Sequence, residues 1–399
     1  MKNSNLAMVL NRSSLPTVNT VGDIRALAKR RLPRMIFDFV DGGAESELTM
    51  AANRQSLDDL YFDPHFLADV SERDISTTIL GERVSLPFGL APAGLATVVH
   101  PEGELAAARA AGRAGAIFVV STASGHTLEA IADAATGPLW FQLYLWKDPE
   151  VVGTLVDRAA AVGCSALVLT IDVPVVGKRE RDLRNGMSLP PRIRTRGALD
   201  AARRPRWLKG LATGPDITFA NLAGIADGDS AASIGSYVDR ELSDTTATWD
   251  RIDELRRRWT GPLVIKGVMS SHDAERAVER GADAIYVSNH GGRQLDGAAG
   301  TTSVLPEIVD AVGGRAEVFI DGGIRRGADI VKVKALGATA AFGGRPWVFG
   351  LAADGERGVD RMLEILSADV DRTLALIGCP RFDDVDSSAL RGGDVARRG

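Results

Sequence analysis

The sequence predicts an α/β chain folded as a single (β/α)8 TIM barrel, with an N-terminal helical extension and a long excursion after the fourth strand. Three observations predict it. Eight short apolar runs recur from residue 86 onward. Helical stretches, several closed by glycine, lie between them. The runs end in small or polar residues. Buried parallel strands read as unbroken apolar runs because both faces are covered, and eight strand–helix units are what such a barrel requires. An open doubly wound sheet, the competing architecture, has no reason to stop at eight.

In chain order, residues 1–20 read as a loose arm of Ser, Asn and Pro without periodicity, and 21–380 as the barrel domain. Ile24 to Phe39 has helical spacing interrupted at Pro33, Gly42-Gly43 ends it, and a second helix is expected near Ala44. About 60 to 84 reads as irregular structure leading into a short hairpin. The eight runs are Leu86–Pro92, Ala116–Thr122, Leu139–Tyr144, Ala166–Asp172, Leu263–Gly267, Ala284–His290, Glu317–Gly323 and Ala338–Gly344. Helices between them include Glu102–Gly115, Pro149–Gly163, Ser271–Gly281 and Gly327–Gly337. Run starts are spaced by roughly 20–30 residues, one βα unit, except for about a hundred between the fourth and fifth. The surplus, 183–248, is an excursion on the C-terminal side of the barrel, and 381–399 is a tail.

The excursion has two parts. The first carries Arg192, Arg194, Arg196, Arg203, Arg204, Arg206 and Lys209 around Trp207, Leu208 and Leu211. Such a segment is either a basic solvated lid or a surface that lies on an anionic membrane. The second, Gly224 to Thr246, is rich in Gly, Ser, Ala and Asp and is expected to be mobile.

Composition narrows the class. The chain has 399 residues, is 45% hydrophobic and 25% charged, and carries a formal charge of −5. That is an ordinary globular make-up whose slight acidity argues against nucleic acid as a partner. Cys164 and Cys379 stand in unrelated contexts, so neither a disulfide framework nor a metal cluster is expected, and a reducing, cytoplasmic compartment fits. The N-terminal apolar patch is too short for a signal peptide, and no stretch reaches spanning length.

In a barrel the C-terminal strand ends share one mouth. Those ends read Pro92-Ala93-Gly94, Ser121, Gln142 with Tyr144, Thr170 with Asp172, Lys266, Ser288 with His290, Asp321-Gly322-Gly323 and Gly343-Gly344-Arg345. Burying so many polar groups unpaired costs roughly 1–3 kcal/mol each, so a polar ligand is expected there. The glycines and arginines after the last two strands, with Arg325 and Arg345, suit a phosphate. Lys266 could pair with a carboxylate, form a Schiff base, or stabilise an electron-rich ring.

The stretch Ser288-Asn289-His290-Gly291-Gly292-Arg293-Gln294-Leu295-Asp296 concentrates the chemistry. An imidazole can take a proton near neutral pH, and a guanidinium fork can hold a carboxylate. Asp172, on the rim, is the best candidate to orient His290. Arg179 offers a second cation beside Arg293, and two guanidiniums predict an anionic substrate. His65, His100, His126 and His272 sit before the barrel or near helix starts and compete weakly.

Together these residues resemble the FMN-dependent L-2-hydroxy acid dehydrogenase/oxidase family, over about residues 22–380. The stretch at 288–296 is similar to the signature around that family's base. Leu32-Pro33-Arg34-Met35, Trp140-Phe141-Gln142-Leu143-Tyr144 and Asp321-Gly322-Gly323-Ile324-Arg325-Arg326-Gly327 also match. Ser121-Thr122-Ala123-Ser124, Arg179-Glu180-Arg181-Asp182-Leu183 and Ile377-Gly378-Cys379-Pro380 look closest to the (S)-mandelate dehydrogenase and L-lactate dehydrogenase branch.

The resemblance implies FMN as cofactor. Pro92, Ala93 and Gly94, with Ser121, Gln142, Thr170 and Ser288, would hold the isoalloxazine and ribityl chain, and Lys266 would stabilise the anionic reduced ring. Asp321, Gly322, Gly323, Arg325, Gly344 and Arg345 would hold the ribityl chain and phosphate. His290 would be the base with Asp172 as its partner, Arg293 and Arg179 the carboxylate clamp, and Tyr144 the donor to the substrate oxygen. The substrate Cα hydrogen would pass to flavin N5 as His290 takes the hydroxyl proton, giving a 2-oxo acid from a lactate- or mandelate-like acid. The resemblance further implies a quinone or similar electron acceptor, a homotetramer, and peripheral attachment to the inner face of the cytoplasmic membrane through 190–212.

Two positions depart from the common pattern. Phe39 stands where most members have a Tyr that helps bind the substrate carboxylate, which predicts weaker holding or a bulkier, aromatic substrate. Gly94 stands where oxidases often carry Ala, which favours a quinone over O₂. The competing readings are an O₂-using oxidase of the same family, a non-redox barrel enzyme such as a Lys266 aldolase, and a flavin-binding protein without turnover. A catalytic-cysteine barrel dehydrogenase is disfavoured, because neither cysteine ends a strand.

Overall fold

Caps and a proline divide the N-terminal extension. The structure, a computed structural model, describes residues 18–187, 195–225, 230–242 and 244–391. Thr20 caps α1 (Val21–Arg31): its hydroxyl accepts the Asp23 N–H while the Asp23 carboxylate accepts the Thr20 N–H. The loose arm expected over 1–20 lies outside the described residues up to 17, and Val18 is already tied down by Arg361. Pro33, lacking an N–H, starts α2 (Arg34–Asp41). The helix expected near Ala44 begins later, as α3 (Leu48–Asp58). Asp296 accepts the N–H groups of Ser46 and Thr49, which holds the preceding residues as a turn.

The expected hairpin is β1 (Thr77–Ile79) with β2 (Glu82–Val84). From there strands and helices alternate as β3 (Phe88–Leu90), α4 (Gly103–Arg113), β4 (Phe118–Ser121), α5 (Leu128–Ala134), β5 (Leu139–Tyr144), α6 (Pro149–Ala161) and β6 (Ala166–Thr170). The excursion supplies α7 (Glu180–Asn185), α8 (Thr195–Ala202), α9 (Pro205–Thr213) and α10 (Ala231–Glu241). Alternation resumes with α11 (Asp250–Arg258), β7 (Leu263–Val268), α12 (Ser271–Glu279), β8 (Ala284–Val287), α13 (Thr301–Val312), β9 (Glu317–Ile320), α14 (Gly327–Ala335), β10 (Ala340–Gly343), α15 (Arg345–Asp354) and α16 (Glu356–Ile377).

Strands β3 to β10 form a closed parallel barrel, sealed where Ala341 of β10 pairs with Phe88 of β3. Aromatic rings fill it. Tyr286 and Phe342 lie 5.0 Å apart by ring centroids, and Trp140 is 5.6 Å from both Phe319 and Phe342. Ile79 and Val84 of the hairpin join this interior cluster, and Glu317 at the start of β9 accepts the Leu80 N–H at 2.8 Å. The hairpin therefore stoppers the N-terminal end. A larger apolar layer lies between the strands and the outer helices.

Two of the chain's less regular parts carry more structure than their composition suggests. Gly224 to Thr246 contains α10, capped by Ser230 and anchored by buried Ile234 and by Tyr237, which stacks on Trp146 at 6.1 Å. Small polar composition hid a helix that tertiary packing stabilises. The tail from 381 starts as packed structure: Phe382 and Leu390 are buried, and Leu390 bridges to Phe62. Residues 392–399 lie outside the described residues. Among the described residues, no helix is long and apolar enough to cross a membrane.

Candidate active site

The strand ends open into a cavity of about 740 Å³, roofed by the excursion. Its wall includes Pro92, Ala93, Gly94, Ser121, Gln142 and Tyr144 from the first three barrel strands and their loops. Thr170, Lys266, His290, Arg293 and Arg179 follow, then Asp321, Gly322, Gly323, Arg325, Gly344 and Arg345. Phe39 of α2 closes one side. Asp172 and Ser288 support these groups from behind and do not line the cavity.

His290 stands just beyond β8 with φ +58°, a conformation that strains any residue bearing a Cβ. Its N–H donates to Ser288 Oγ at 3.1 Å, and Gly291 and Gly292, also left-handed, carry the turn onward. A Cβ at Gly292 would stand 2.6 Å from the Met50 nitrogen, so only glycine lets the loop lie against α3. His290 Nδ1 lies 3.1 Å from Asp172 Oδ1 and 3.3 Å from Oδ2. A carboxylate there fixes the proton on Nδ1 and leaves Nε2 as the acceptor. Burial pulls the imidazole below its ordinary value, with Asp172 opposing and Lys266 and Arg179 adding to the fall. Asp172 is itself held low by His290 and Lys266 despite burial. The ring is therefore neutral and able to take a proton at neutral pH.

Lys266 Nζ donates to Ser288 Oγ at 2.9 Å and pairs with Asp321 at 3.7 Å, while Ser288 Oγ donates to Asp321 Oδ1 at 2.8 Å. This places a fixed positive charge at the cavity floor, a poor arrangement for a Schiff-base amine. On the next strands, Ser121 Oγ donates to Gln142 Oε1 at 3.1 Å and Gln142 Nε2 donates to Thr170 Oγ1 at 3.0 Å. That chain fixes the amide's orientation. Tyr144 keeps its proton, because burial, then Asp172, raise it to about 12.

Arg293 Nη1 donates to the carbonyls of Phe39 and Gly42, both at 2.8 Å, and its guanidinium lies 5.4 Å above the Phe39 ring. Arg179 has a buried Nε without a partner and approaches Asp182 only at 4.0 Å. Arg345 spans three carbonyls: Val40 at 3.1 Å, Gly291 at 2.8 Å and Gly42 at 2.7 Å. Arg325 donates to Ile324 O at 2.7 Å. Burial, and each arginine's cationic neighbours, pull Arg325 down to about 9. Arg345 falls to about 10, with burial again the largest cause. Among the described residues neither has a carboxylate within ion-pair distance, so both are suited to a buried anion. Backbone groups of Gly323 and Gly344 border the same space, where the open side of Gly344 leaves room for a phosphate. The donor set fits FMN.

Several further residues line or brace the site without a clear mark in the sequence. Asp182 lines the same cavity as Arg179 and Arg293 and is raised by burial against their pull, although its motif was in view. Phe219, Leu222, Val238 and Leu242 come from the excursion, where no periodicity marks them as wall. Gln294 was seen only as part of a motif; its amide holds the Asp172 and Val175 carbonyls at 3.0 and 2.9 Å. The cysteines take no part: Cys164 is buried, its thiol pushed up to about 12, and Cys379 does not line the cavity.

Over 368 residues the chain is 43% identical to an L-lactate oxidase of a Nostoc species, covering 91% of this chain and 95% of that one. It is 39% identical to the glycolate oxidase of Spinacia oleracea over 377 residues, 94% of this chain and 95% of that one. The solved structure of the monotopic membrane protein (S)-mandelate dehydrogenase superposes with a TM-score of 0.91 at 41% identity, covering 94% of this chain and 100% of that one. Residues 28–392 match the family model described as FMN-dependent dehydrogenase. The chain is a member of the FMN-dependent dehydrogenases, a flavoprotein oxidoreductase of the 2-hydroxy acid dehydrogenase/oxidase kind.

Proposed function

We propose that this enzyme oxidises an L-2-hydroxy acid with an apolar, mandelate- or lactate-like side chain to the 2-oxo acid, and passes the electrons to a quinone-like acceptor. The observation that carries the reading is His290, held by Asp172 at 3.1 Å and facing the same cavity as Arg179 and Arg293. The two guanidiniums hold the substrate carboxylate, and the Tyr144 hydroxyl donates to the substrate oxygen. His290 Nε2 takes the hydroxyl proton, and Asp172 stabilises the imidazolium. Bound FMN supplies the acceptor for the hydrogen and electron pair that leave Cα. Lys266, held by Ser288 and Asp321, sets a positive charge where negative charge would collect.

The side-chain preference rests on the roof. Val176, Phe219, Leu222 and Leu242 present apolar surface, and Phe39 adds a ring. The acceptor preference rests on Gly94, where a Cβ would stand 2.7 Å from the Ala123 Cβ. Membrane contact through 190–212 is supported in a modified form. Arg192 and Arg194 lie outside the described residues, and Trp207 faces inward, but Leu199, Leu208 and Leu211 are exposed. Replacing Leu199 and Leu208 by Asp should release the protein from the membrane fraction; unchanged fractionation counts against attachment.

Anaerobic mixing with (S)-mandelate, L-lactate and glycolate, followed at the flavin band, tests the chemistry. Bleaching should be fastest with (S)-mandelate, and a quinone should restore the colour faster than air. Fastest bleaching by glycolate rejects the side-chain preference. Rapid reoxidation by air favours the oxidase reading, which the lactate and glycolate oxidase relatives support.

A further inference from the structure

A second cavity, of about 670 Å³, lies outside the one just described and shares only Val99 with it. Arg30 and Arg31 of α1 form one wall, and Arg203, Arg204, Arg206 and Lys209 at α9 form the other. Among the described residues Asp354 is the lone carboxylate of the lining, and Arg31 holds it at 3.0 Å. Arg204 reaches Asp200 only at 3.8 Å, and its buried Nε has no hydrogen-bond partner among the described residues, although its side chain is just 29% exposed. Arg30, Arg203, Arg206 and Lys209 have no ion-pair partner among the described residues.

The cleft is built rather than incidental. Pro205 opens α9, and Trp207 is buried with its Nε1–H on the Val98 carbonyl at 2.8 Å. Gly210 and Gly214 bring the helix against Pro101, where added Cβ atoms would stand 3.0 and 2.8 Å from its ring. These contacts fix the backbone that carries the cations. Cations gathered around a concavity repel one another, and a compact multivalent anion relieves that repulsion. Guanidinium forks match phosphate oxygens.

We propose that this cleft binds a phosphate mono- or diester, separately from the cofactor's phosphate at Arg325 and Arg345. Leu208 and Leu211, 36% and 37% exposed on the same helix, make a phospholipid headgroup one source and a soluble phosphate ester the other. The inference does not depend on the redox reading.

The test uses FMN-loaded protein in two arms. One is calorimetric titration with sn-glycerol 3-phosphate; the other is co-sedimentation with phosphatidylcholine vesicles with and without phosphatidylglycerol. Binding in the first arm identifies a soluble ester as a ligand, and binding only to phosphatidylglycerol vesicles identifies a headgroup. In either arm Arg203→Ala/Arg206→Ala should weaken binding by at least about tenfold, the loss expected for removed charge-assisted hydrogen bonds. Arg257→Ala/Arg372→Ala, an equal charge change on exposed positions of α11 and α16, should leave it intact. If the first double variant fails to retain flavin, Lys209→Glu replaces it with the same expectation. No binding in both arms, a smaller loss, or an equal loss in the control overturns the proposal.

Discussion

Phe39 places an apolar ring 5.4 Å beneath the Arg293 guanidinium, where a phenol would add a donor to the carboxylate site. Phe39→Tyr should lower KM for a small acid such as L-lactate by about ten- to a hundredfold, since a hydrogen bond to a charged group contributes roughly 1.5–3 kcal/mol. Steady-state kinetics decide it, and an unchanged KM for every 2-hydroxy acid refutes it. His290→Asn should leave the protein yellow and abolish bleaching, because an amide cannot take the hydroxyl proton. The pH profile follows from burial. His290 lies below the ordinary histidine value, so bleaching should persist into more acid solution than an exposed imidazole allows and fall only below that depressed value. Asp172 raises the imidazole, so Asp172→Asn should move the acid limb lower still while slowing bleaching by up to about 10⁴-fold. Stopped-flow rates against pH check both. At this scale the sequence was informative because a polar residue ending an apolar run has few structural reasons to be there. Ser288 was legible as a site residue, but not its role, since only coordinates reveal an Oγ turned away from the cavity toward Lys266 and Asp321.

The barrel strands were readable as elements because burial on both faces imposes unbroken apolar runs, and their glycine-closed helices supplied the period. The excursion was not readable. Helices α8, α9 and α10 are short, and their order comes from contacts with distant loops, as when Trp207 bonds to Val98. Trp207→Ala should therefore cost about 3–5 kcal/mol, the range for deleting a buried aromatic, and loosen α9 locally. Hydrogen exchange across α9 should rise while the strands stay protected. At the loop after β3, Gly94→Ala forces a Cβ to 2.7 Å from that of Ala123. Overpacking of this kind costs roughly 1–3 kcal/mol, so thermal stability should drop, and Ala123→Gly in the same chain should restore it. A melting temperature unchanged by Gly94→Ala would show that the loop yields freely.

For the whole molecule, the hairpin stopper and the packed rings of Trp140, Tyr286, Phe319 and Phe342 fill the rear of the barrel among the described residues. On the proposed reading, fuel and oxidant share the mouth beneath the excursion and take turns. Double-reciprocal plots against both reactants should give parallel lines, the signature of a shuttle that discharges one cargo before accepting the next. Converging lines would mean that a second entrance exists.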